Sequence, residues 1–318
     1  MSRAHLAVVE PPATSSTIAT PISRKSPATT IDSIDVRYIA RVFAQVCLPY
    51  TNPGDDLTWQ RTNGDVSLMM QAGTLPDGSG AARAAGLPYG LYPRLMLMYL
   101  ATAATRTQSR AIELPSTRAL MRELDIPKSS GGARTLNDQI LRLASCSITI
   151  VDQRTPESTS MHWWRFASGL EAVHTPQRTD PAARVVTLSE EFYDSITTSP
   201  IPVDRSIVHA LRGRNSSGLA LDVYWWLTHR TWKVRSTQRI AWTQLENQFG
   251  NQYAPENTHK WRQRFLEAVS KVVVLRPDIN ITWDDNVFVV LPRTKTSSTS
   301  AEVPRRGQAP SEWTVIRS

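Results

Sequence analysis

The chain has 318 residues with 36 Lys plus Arg and 28 Asp plus Glu, a formal net charge of +8 and a pI near 9.8. This length predicts about two domains, and 41% apolar residues suffice for buried cores, which excludes wholesale disorder. The basic balance favours a polyanionic partner, nucleic acid ahead of an acidic membrane surface. With only Cys47 and Cys146, a disulfide scaffold and a four-thiolate zinc site are excluded, and the reducing cytoplasm is the expected location.

Membrane and targeting segments are not expected. The longest apolar stretch, residues 95–104, is about half of the ~20 residues that a spanning helix requires. The apolar run of residues 6–9 is too short for the core of a signal peptide. We therefore expect no membrane partner.

Both ends of the chain differ in composition from the middle. Residues 1–31 and 293–318 are rich in Ser, Thr, Ala and Pro without an apolar period, and we predict disordered arms. Residues 32–84 form a lead-in, in which apolar residues at helical spacing after Asp32 and Asp35 predict a helix; they are Val36, Ile39, Phe43 and Val46. Asn63-Gly64 between two extended runs then predicts a β-hairpin.

Two blocks with the same order of elements follow, at residues 85–170 and 183–292. Each block is predicted to contain helix, short strand, helix, turn, helix, strand, tip and strand. In the first block the predicted helices are residues 91–104, 117–124 (capped by Ser116) and 132–144, and the strands are 111–114, 147–152 and 161–167. In the second, after a bridging segment at 185–188, the helices are 219–232, 242–249 and 256–274, and the strands are 238–240, 279–283 and 287–291.

This order is that of a winged helix, in which the second and third helices form a helix-turn-helix and the final hairpin is the wing. Its repetition in one basic chain predicts an α+β, mostly helical fold of tandem winged-helix domains between disordered arms. Each third helix is then expected to enter a major groove of DNA, with basic residues on the wings and helix starts holding phosphates.

The third helix of the second block has a core stripe of Trp261, Phe265, Ala268 and Val272. The residues that face away from this stripe or flank it are the candidate DNA contacts, because they supply long donors for phosphates and guanine edges and an amide for adenine; they are His259, Lys260, Arg262, Gln263 and Arg264. Residues 205–276 carry 12 basic and 4 acidic side chains, an excess equal to the whole net charge. The alternative is an ordinary solvated helix face.

In the first block, the corresponding candidates lie in the turn and on the face opposite Leu136, Ile140 and Leu143; they are Lys128, Arg134, Thr135, Asp138 and Arg142. An alternative interpretation is a surface ion ladder through Arg134, Asp138 and Arg142, which are spaced four residues apart.

Tryptophans are frequent in the blocks, and exposed rings can stack on the bases of single strands. Core packing is the better interpretation for most of them, because Trp242 and Trp261 lie on predicted core faces. Of the adjacent Trp225 and Trp226, one is expected to be less buried than the other.

No motif points to catalysis. The six histidines form no His-x-His or His-Glu-x-x-His pattern, and neither a P-loop nor Gly-x-Ser-x-Gly occurs. Asp284-Asp285 suits a hairpin turn better than a metal site. We therefore expect a protein that is not an enzyme, with no catalytic residue, metal or cofactor.

Three stretches of the chain carry a family resemblance. They are residues 48–55 (LPYTNPGD) with 59–64 (WQRTNG); residues 86–95 (GLPYGLYPRL) with 107–114 (TQSRAIEL); and residues 203–204 (VD), 220–230 (ALDVYWWLTHR), 240–245 (IAWTQL), 249–250 (FG) and 265–269 (FLEAV). In this order they resemble the RepA-type plasmid replication initiator family. Together they span residues 36–292, and the turn at Pro255 is where the third helix of block two can depart from the family.

The resemblance implies a protein that binds double-stranded DNA at plasmid origin repeats or an operator and recruits host replication proteins such as an initiator or helicase. It also implies autorepression and a monomer–dimer switch, and hence a homodimer. Three alternatives remain open: a transcriptional repressor without a replication role, a nicking or primase-like enzyme, and a scaffold for loading the host helicase.

Overall fold

The computed structural model describes residues 35–45, 47–77, 79–155, 157–173, 182–212, 218–233, 236–250 and 258–292. The predicted arms, residues 1–31 and 293–318, lie outside the described residues, as does Pro255. From Asp35 onward the chain forms one compact unit, and the predicted boundaries within it stay a prediction.

The first half of the described chain alternates sheet and helix. Its elements are β1 (Val36–Ile39), α1 (Arg41–Gln45), β2 (Thr58–Asn63), β3 (Val66–Gln71), β4 (Thr74–Pro76), β5 (Ala82–Ala84), α2 (Leu91–Thr107), β6 (Ala111–Glu113), α3 (Thr117–Glu123), α4 (Ser130–Ser145), β7 (Ser147–Thr155) and β8 (Ser158–Arg165).

The second half continues in the same mixed pattern. Its elements are β9 (Ala167–Val173), β10 (Ala182–Leu188), α5 (Glu190–Thr198), β11 (Ile201–Asp204), α6 (Arg205–Leu211), α7 (Leu219–Lys233), β12 (Gln238–Ala241), α8 (Trp242–Phe249), α9 (Thr258–Leu275), β13 (Ile281–Trp283) and β14 (Val287–Val290). A mixed α and β fold is thus confirmed. None of the helices in the described ranges combines the length and hydropathy that crossing a bilayer requires.

The predicted lead-in helix is wrong in its first half. Val36–Ile39 is the strand β1, which pairs antiparallel with β11 so that Val36 lies opposite Asp204. Buried and half-buried residues alternate along β1, and its Val, Tyr and Ile side chains suit a strand once a distant partner is present. The hairpin at Asn63 is confirmed, since Asn63 pairs with Val66 and Gly64 has a φ of 57°, which glycine adopts without strain.

The strand partners of the first block differ from those predicted. The hairpin of β7 and β8, predicted to be the wing, joins the lead-in hairpin in a four-stranded sheet of order β2-β3-β7-β8. Pairing of Leu68 with Ile150 and of Met70 with Ile148 directs these side chains to the core face. The hairpin that reaches β6 is instead β9–β10, so the predicted bridging segment at 185–188 is a central strand.

The two three-stranded sheets share one topology. In the first the order is β6-β10-β9, and in the second it is β12-β14-β13. In each sheet, the short strand that follows the first helix pairs with the last strand of the hairpin. One helix pair belongs with each sheet. We call α3–α4 the first helix pair and α8–α9 the second helix pair.

The first helix pair begins and turns as its sequence predicts. The hydroxyl of Ser116 accepts a hydrogen bond from the N–H of Ala119, which confirms the predicted cap. Ser129 caps α4 in the same way through the N–H of Gly132. Between the helices, Asp125 adopts a left-handed conformation with a φ of 54°.

Tryptophan burial corrects one expectation. Trp225 and Trp226 are both buried, at 1% and 2% exposure, because α7 packs against α1 and α9. The core positions of Trp242 and Trp261 are confirmed. Trp163, on the outermost strand β8, is 70% exposed.

Candidate nucleic-acid interface

The start of α9 carries an exposed polar face. Trp261 and Phe265 are buried and stack on each other with ring centroids 5.4 Å apart, which fixes the rotation of the helix. Four of the predicted contacts then lie on the exposed side: His259, Lys260, Gln263 and Arg264. Gln263 Nε2 donates to Glu267 Oε1 at 3.2 Å, one turn further along. The arrangement offers cationic and amide groups to a ligand outside the helix.

Arg262 is held apart from this face. Its guanidinium lies 3.9 Å from the centroid of the Trp242 ring, and Nη2 donates to the carbonyl oxygen of Asp285 at 2.6 Å. The side chain is 27% exposed. Arg262 therefore connects α9 to the turn between β13 and β14.

That turn is acidic. The Asp284 carboxylate accepts hydrogen bonds from the N–H groups of Val287 and Asn286, which lower its pKa below the ordinary value. Asp285 beside it is fully exposed. The turn interpretation of Asp284-Asp285 is thus confirmed, and the prediction of basic residues on the wing is wrong at this tip, because residues that suit a tight turn occupy it.

The first helix pair presents a smaller basic face. Lys128, in the turn before α4, and Arg134 and Thr135, in the first turns of α4, are exposed. The Thr135 hydroxyl donates to the carbonyl of Gly131 at 3.0 Å. The N-terminus of α4 adds the partial positive charge of a helix start.

Asp138 and Arg142 are occupied with each other and with the chain before α2. Arg142 Nε lies 2.8 Å from Asp138 Oδ2, and Arg142 Nη1 donates to the carbonyl of Leu87. The guanidinium also lies 5.5 Å from the centroid of the Tyr89 ring. For this pair the structure shows the ion-pair alternative, and contact with DNA stays a prediction.

Two arginines of residues 205–276 are half-buried and bonded within the molecule. Arg230 donates to Gln238 Oε1 at 2.8 Å, and burial lowers its pKa to about 10. Arg276 forms a two-point ion pair with Asp278. These two charges therefore add little to the basic surface of the block, whereas Lys260 and Arg264 at the start of α9 are exposed.

A buried ion pair joins the two blocks, and sequence reasoning missed it. Arg94 on α2 contacts Asp222 on α7, with Nε to Oδ1 at 2.9 Å and Nη2 to Oδ2 at 2.7 Å. Burial disfavours the charge, but the Asp222 carboxylate raises the pKa of Arg94 above its ordinary value. The available signal was a charged residue within the apolar first turns of each helix, Arg94 in α2 and Asp222 in α7.

Residues 87–244 match the family described as plasmid-encoded RepA protein, about half of the chain. The chain belongs to the RepA family. The RepA match begins just before α2 and ends within α8, so that it includes the first helix pair and the Arg94–Asp222 pair. The predicted family of plasmid replication initiators is confirmed.

Two solved structures resemble the fold of this RepA-family chain. One, entitled "Crystal structure of SeMet derivatives of domain2 and domain 3 of RctB", has a TM-score of 0.50 at 10% identity and covers 81% of this chain and 97% of that one. A second structure of RctB domains 2-3 has a TM-score of 0.47 at 10% identity and covers 79% and 96%. No curated protein sequence matches the chain. Within the described ranges, no group of three or more His, Cys, Asp or Glu side chains is arranged to hold a metal ion.

Proposed function

We propose that this RepA-family protein starts plasmid replication by binding specific double-stranded DNA at the origin through two winged-helix units. The helix-turn-helix motifs are the first and second helix pairs, and α4 and α9 are the recognition helices. The observation that carries the proposal is the exposed row at the start of α9, where Lys260, Gln263 and Arg264 face away from or flank the buried Trp261 and Phe265.

These side chains suit the edges of a duplex. A lysine or arginine can neutralise a phosphate or donate to guanine, and a glutamine amide can pair with adenine in the major groove. An α-helix fits the width of that groove. Lys128 in the turn before α4, with Arg134 and Thr135 on the helix, provides a second, smaller set with the same chemistry.

The shared sheet topology supports two units of one type. Both sheets place the short strand beside the last strand of the hairpin, next to a helix pair. In the second unit the acidic tip at Asp284 and Asp285 is repelled by phosphate, so we assign DNA contact there to α9 rather than to the wing.

The proposal includes no chemical step by the protein itself. A cytoplasmic initiator of this kind recruits a host initiator or helicase to the origin, represses its own promoter and forms a homodimer, as the family resemblance implies. A transcriptional repressor without a replication role remains the second candidate, because the same face of α9 would serve an operator.

Footprinting of the DNA surrounding the gene tests the proposal. We expect several repeated protected sites, and we expect a plasmid that carries this region to replicate only when the protein is supplied. Absence of any protected site would contradict DNA recognition. One protected inverted repeat, together with replication in the absence of the protein, would favour the repressor. Nicked product or primers from supercoiled DNA and Mg²⁺ would show an enzyme instead.

A further inference from the structure

Arginines from outside the first helix pair hold the end of its first helix. Arg212, which follows α6, donates through Nη1 to the carbonyl of Leu124 and through Nη2 to the carbonyl of Asp125. Arg205 Nη2 donates to the carbonyl of Glu123 at 3.0 Å. Three successive carbonyls at the end of α3 are therefore bound by side chains located more than 80 residues further along the chain.

The same contact also reaches the turn between α3 and α4. The carboxylate of Asp125 lies 3.5 Å from Arg205 Nη2 and 3.4 Å from His209 Nδ1. Because Asp125 is the left-handed residue of the turn, α6 binds the segment that sets the path from α3 into α4.

The second helix pair is held in an equivalent way by the lead-in hairpin. Arg61 on β2 is completely buried, and its Nη1 donates to the carbonyl of Gln248 in the last turn of α8 at 2.8 Å. The guanidinium lies 4.9 Å from the centroid of the Trp59 ring and 5.3 Å from that of Tyr50. Gln248 Nε2 in turn donates to the carbonyl of Gln45 at 2.8 Å, which ties α8 to α1 as well.

The free carbonyls at a helix end explain why an arginine can hold that end in place. The last four carbonyls of a helix have no partner within the helix and carry partial negative charge, so a cation there is favourable. A guanidinium has several donors in a fixed plane and can bind two carbonyls at once, as Arg212 does. Both arginines are remote from their helix pair in sequence, so each contact fixes the pair against the rest of the molecule.

We propose that Arg61 and Arg212 are positioning residues for DNA recognition. Arg212 fixes the orientation of α4, and Arg61 fixes that of α9, so that each recognition helix meets its groove at a set angle. The inference rests on the proposed function, because the two helices must read DNA for their angle to matter. Neither guanidinium belongs to the exposed basic faces: Arg61 is completely buried and the Arg212 side chain is 9% exposed.

The test compares three arginine variants on the duplex that wild-type protein protects in footprinting. We expect Arg212→Gln to weaken binding about tenfold, with lost protection in the half of the site read by α4, and Arg61→Gln to do the same in the half read by α9. Arg110→Gln is the matched control, because Arg110 also donates to a carbonyl, that of Leu188, away from both turns. It is expected to leave both halves protected.

Loss of both halves in either variant, or of neither half, would overturn the inference. Hydrogen exchange is also measured without DNA, so that this part of the test does not depend on the proposed function. Because exchange is compared between two helices, it also distinguishes a local change from global unfolding. Arg212→Gln is expected to speed exchange in residues 130–145 but not in 258–275, and Arg61→Gln the reverse. The lysine variants Arg212→Lys and Arg61→Lys, which keep the charge, replace the glutamine variants if those do not fold. Uniform or absent changes in exchange would contradict positioning even if wild-type protein protected no DNA.

Discussion

Arg94 and Asp222, 128 positions apart, form a two-point ion pair that is almost entirely buried between α2 and α7. Arg94 also donates to the carbonyls of Leu48 and Pro49, so that one guanidinium joins the lead-in and both blocks. The structure thereby holds the first helices of the two blocks in one body.

Removing one partner of this pair is expected to be costly. Asp222→Asn should lower the free energy of unfolding by about 3–5 kcal/mol, because it leaves the Arg94 charge buried without a counter-ion. Urea denaturation followed by circular dichroism measures the change. Asp285→Asn, on a fully exposed side chain, is the control and should stay within about 0.5 kcal/mol of wild type. Equal stability of the two variants would show that the buried pair is not what joins the blocks.

The two cysteines should not react with thiol reagents in the folded protein. Burial raises the pKa of Cys146 to about 12 and raises that of Cys47 further, so both thiols stay protonated at neutral pH. A colorimetric disulfide reagent should therefore label neither cysteine in native buffer and both in guanidinium chloride. Rapid labelling of the native protein would contradict the burial of these groups.

Asp35 should make stability depend on pH at the acidic end. Burial opposes its charge, but the hydrogen bond from Arg205 and the charge of Arg37 hold its pKa below the ordinary value. Its contribution is therefore complete above the unfolded pKa of about 3.9 and is lost as pH falls through the lower folded value. At neutral pH the free energy of unfolding of the wild type should exceed that of Asp35→Asn by at most about 1 kcal/mol, because the Asp35 side chain is 43% exposed.

Urea denaturation of wild type and Asp35→Asn across the acidic range provides the measurement. We expect the difference between the two proteins to shrink steadily below about pH 4. A difference that is constant with pH would mean that the charge of Asp35 contributes nothing.

Arg134 and Arg142 lie two turns apart on α4, and we expect Arg142 to contribute to stability and Arg134 to DNA binding. Arg142→Ala should reduce stability by about 1–2 kcal/mol, because it removes the contacts with Asp138, Leu87 and Tyr89. Arg134→Ala should leave stability unchanged and weaken DNA binding. Thermal unfolding and a binding titration on the footprinted duplex separate the two effects. The opposite assignment of effects would restore Arg142 to the DNA-binding set.

Local signals in the sequence predicted much of the fold. Ser116 was recognisable as a cap and Asn63-Gly64 as a hairpin turn, because each depends on residues within a few positions. The pairing of β1 with β11 and of β6 with β10 was not predictable in this way, since strand partners are chosen by side chains far along the chain.

In the candidate site, too, the sequence predicted a local feature but not a contact with a neighbouring helix. The buried stripe through Trp261 and Phe265 predicted correctly which side of α9 is exposed. It could not show that Arg262 would stack on Trp242, because that contact depends on where the neighbouring helix α8 is placed.

The most direct test of the account compares two lysines on the same helix. Lys260 and Lys271 are both exposed on α9, about 16 Å apart along its axis, and only Lys260 lies at the end proposed to enter the groove. We predict that Lys260→Ala weakens binding to the footprinted origin duplex and reduces the slope of log affinity against log salt by about 1, while Lys271→Ala changes neither. Identical affinities and salt slopes for the two variants would contradict the placement of α9 on DNA.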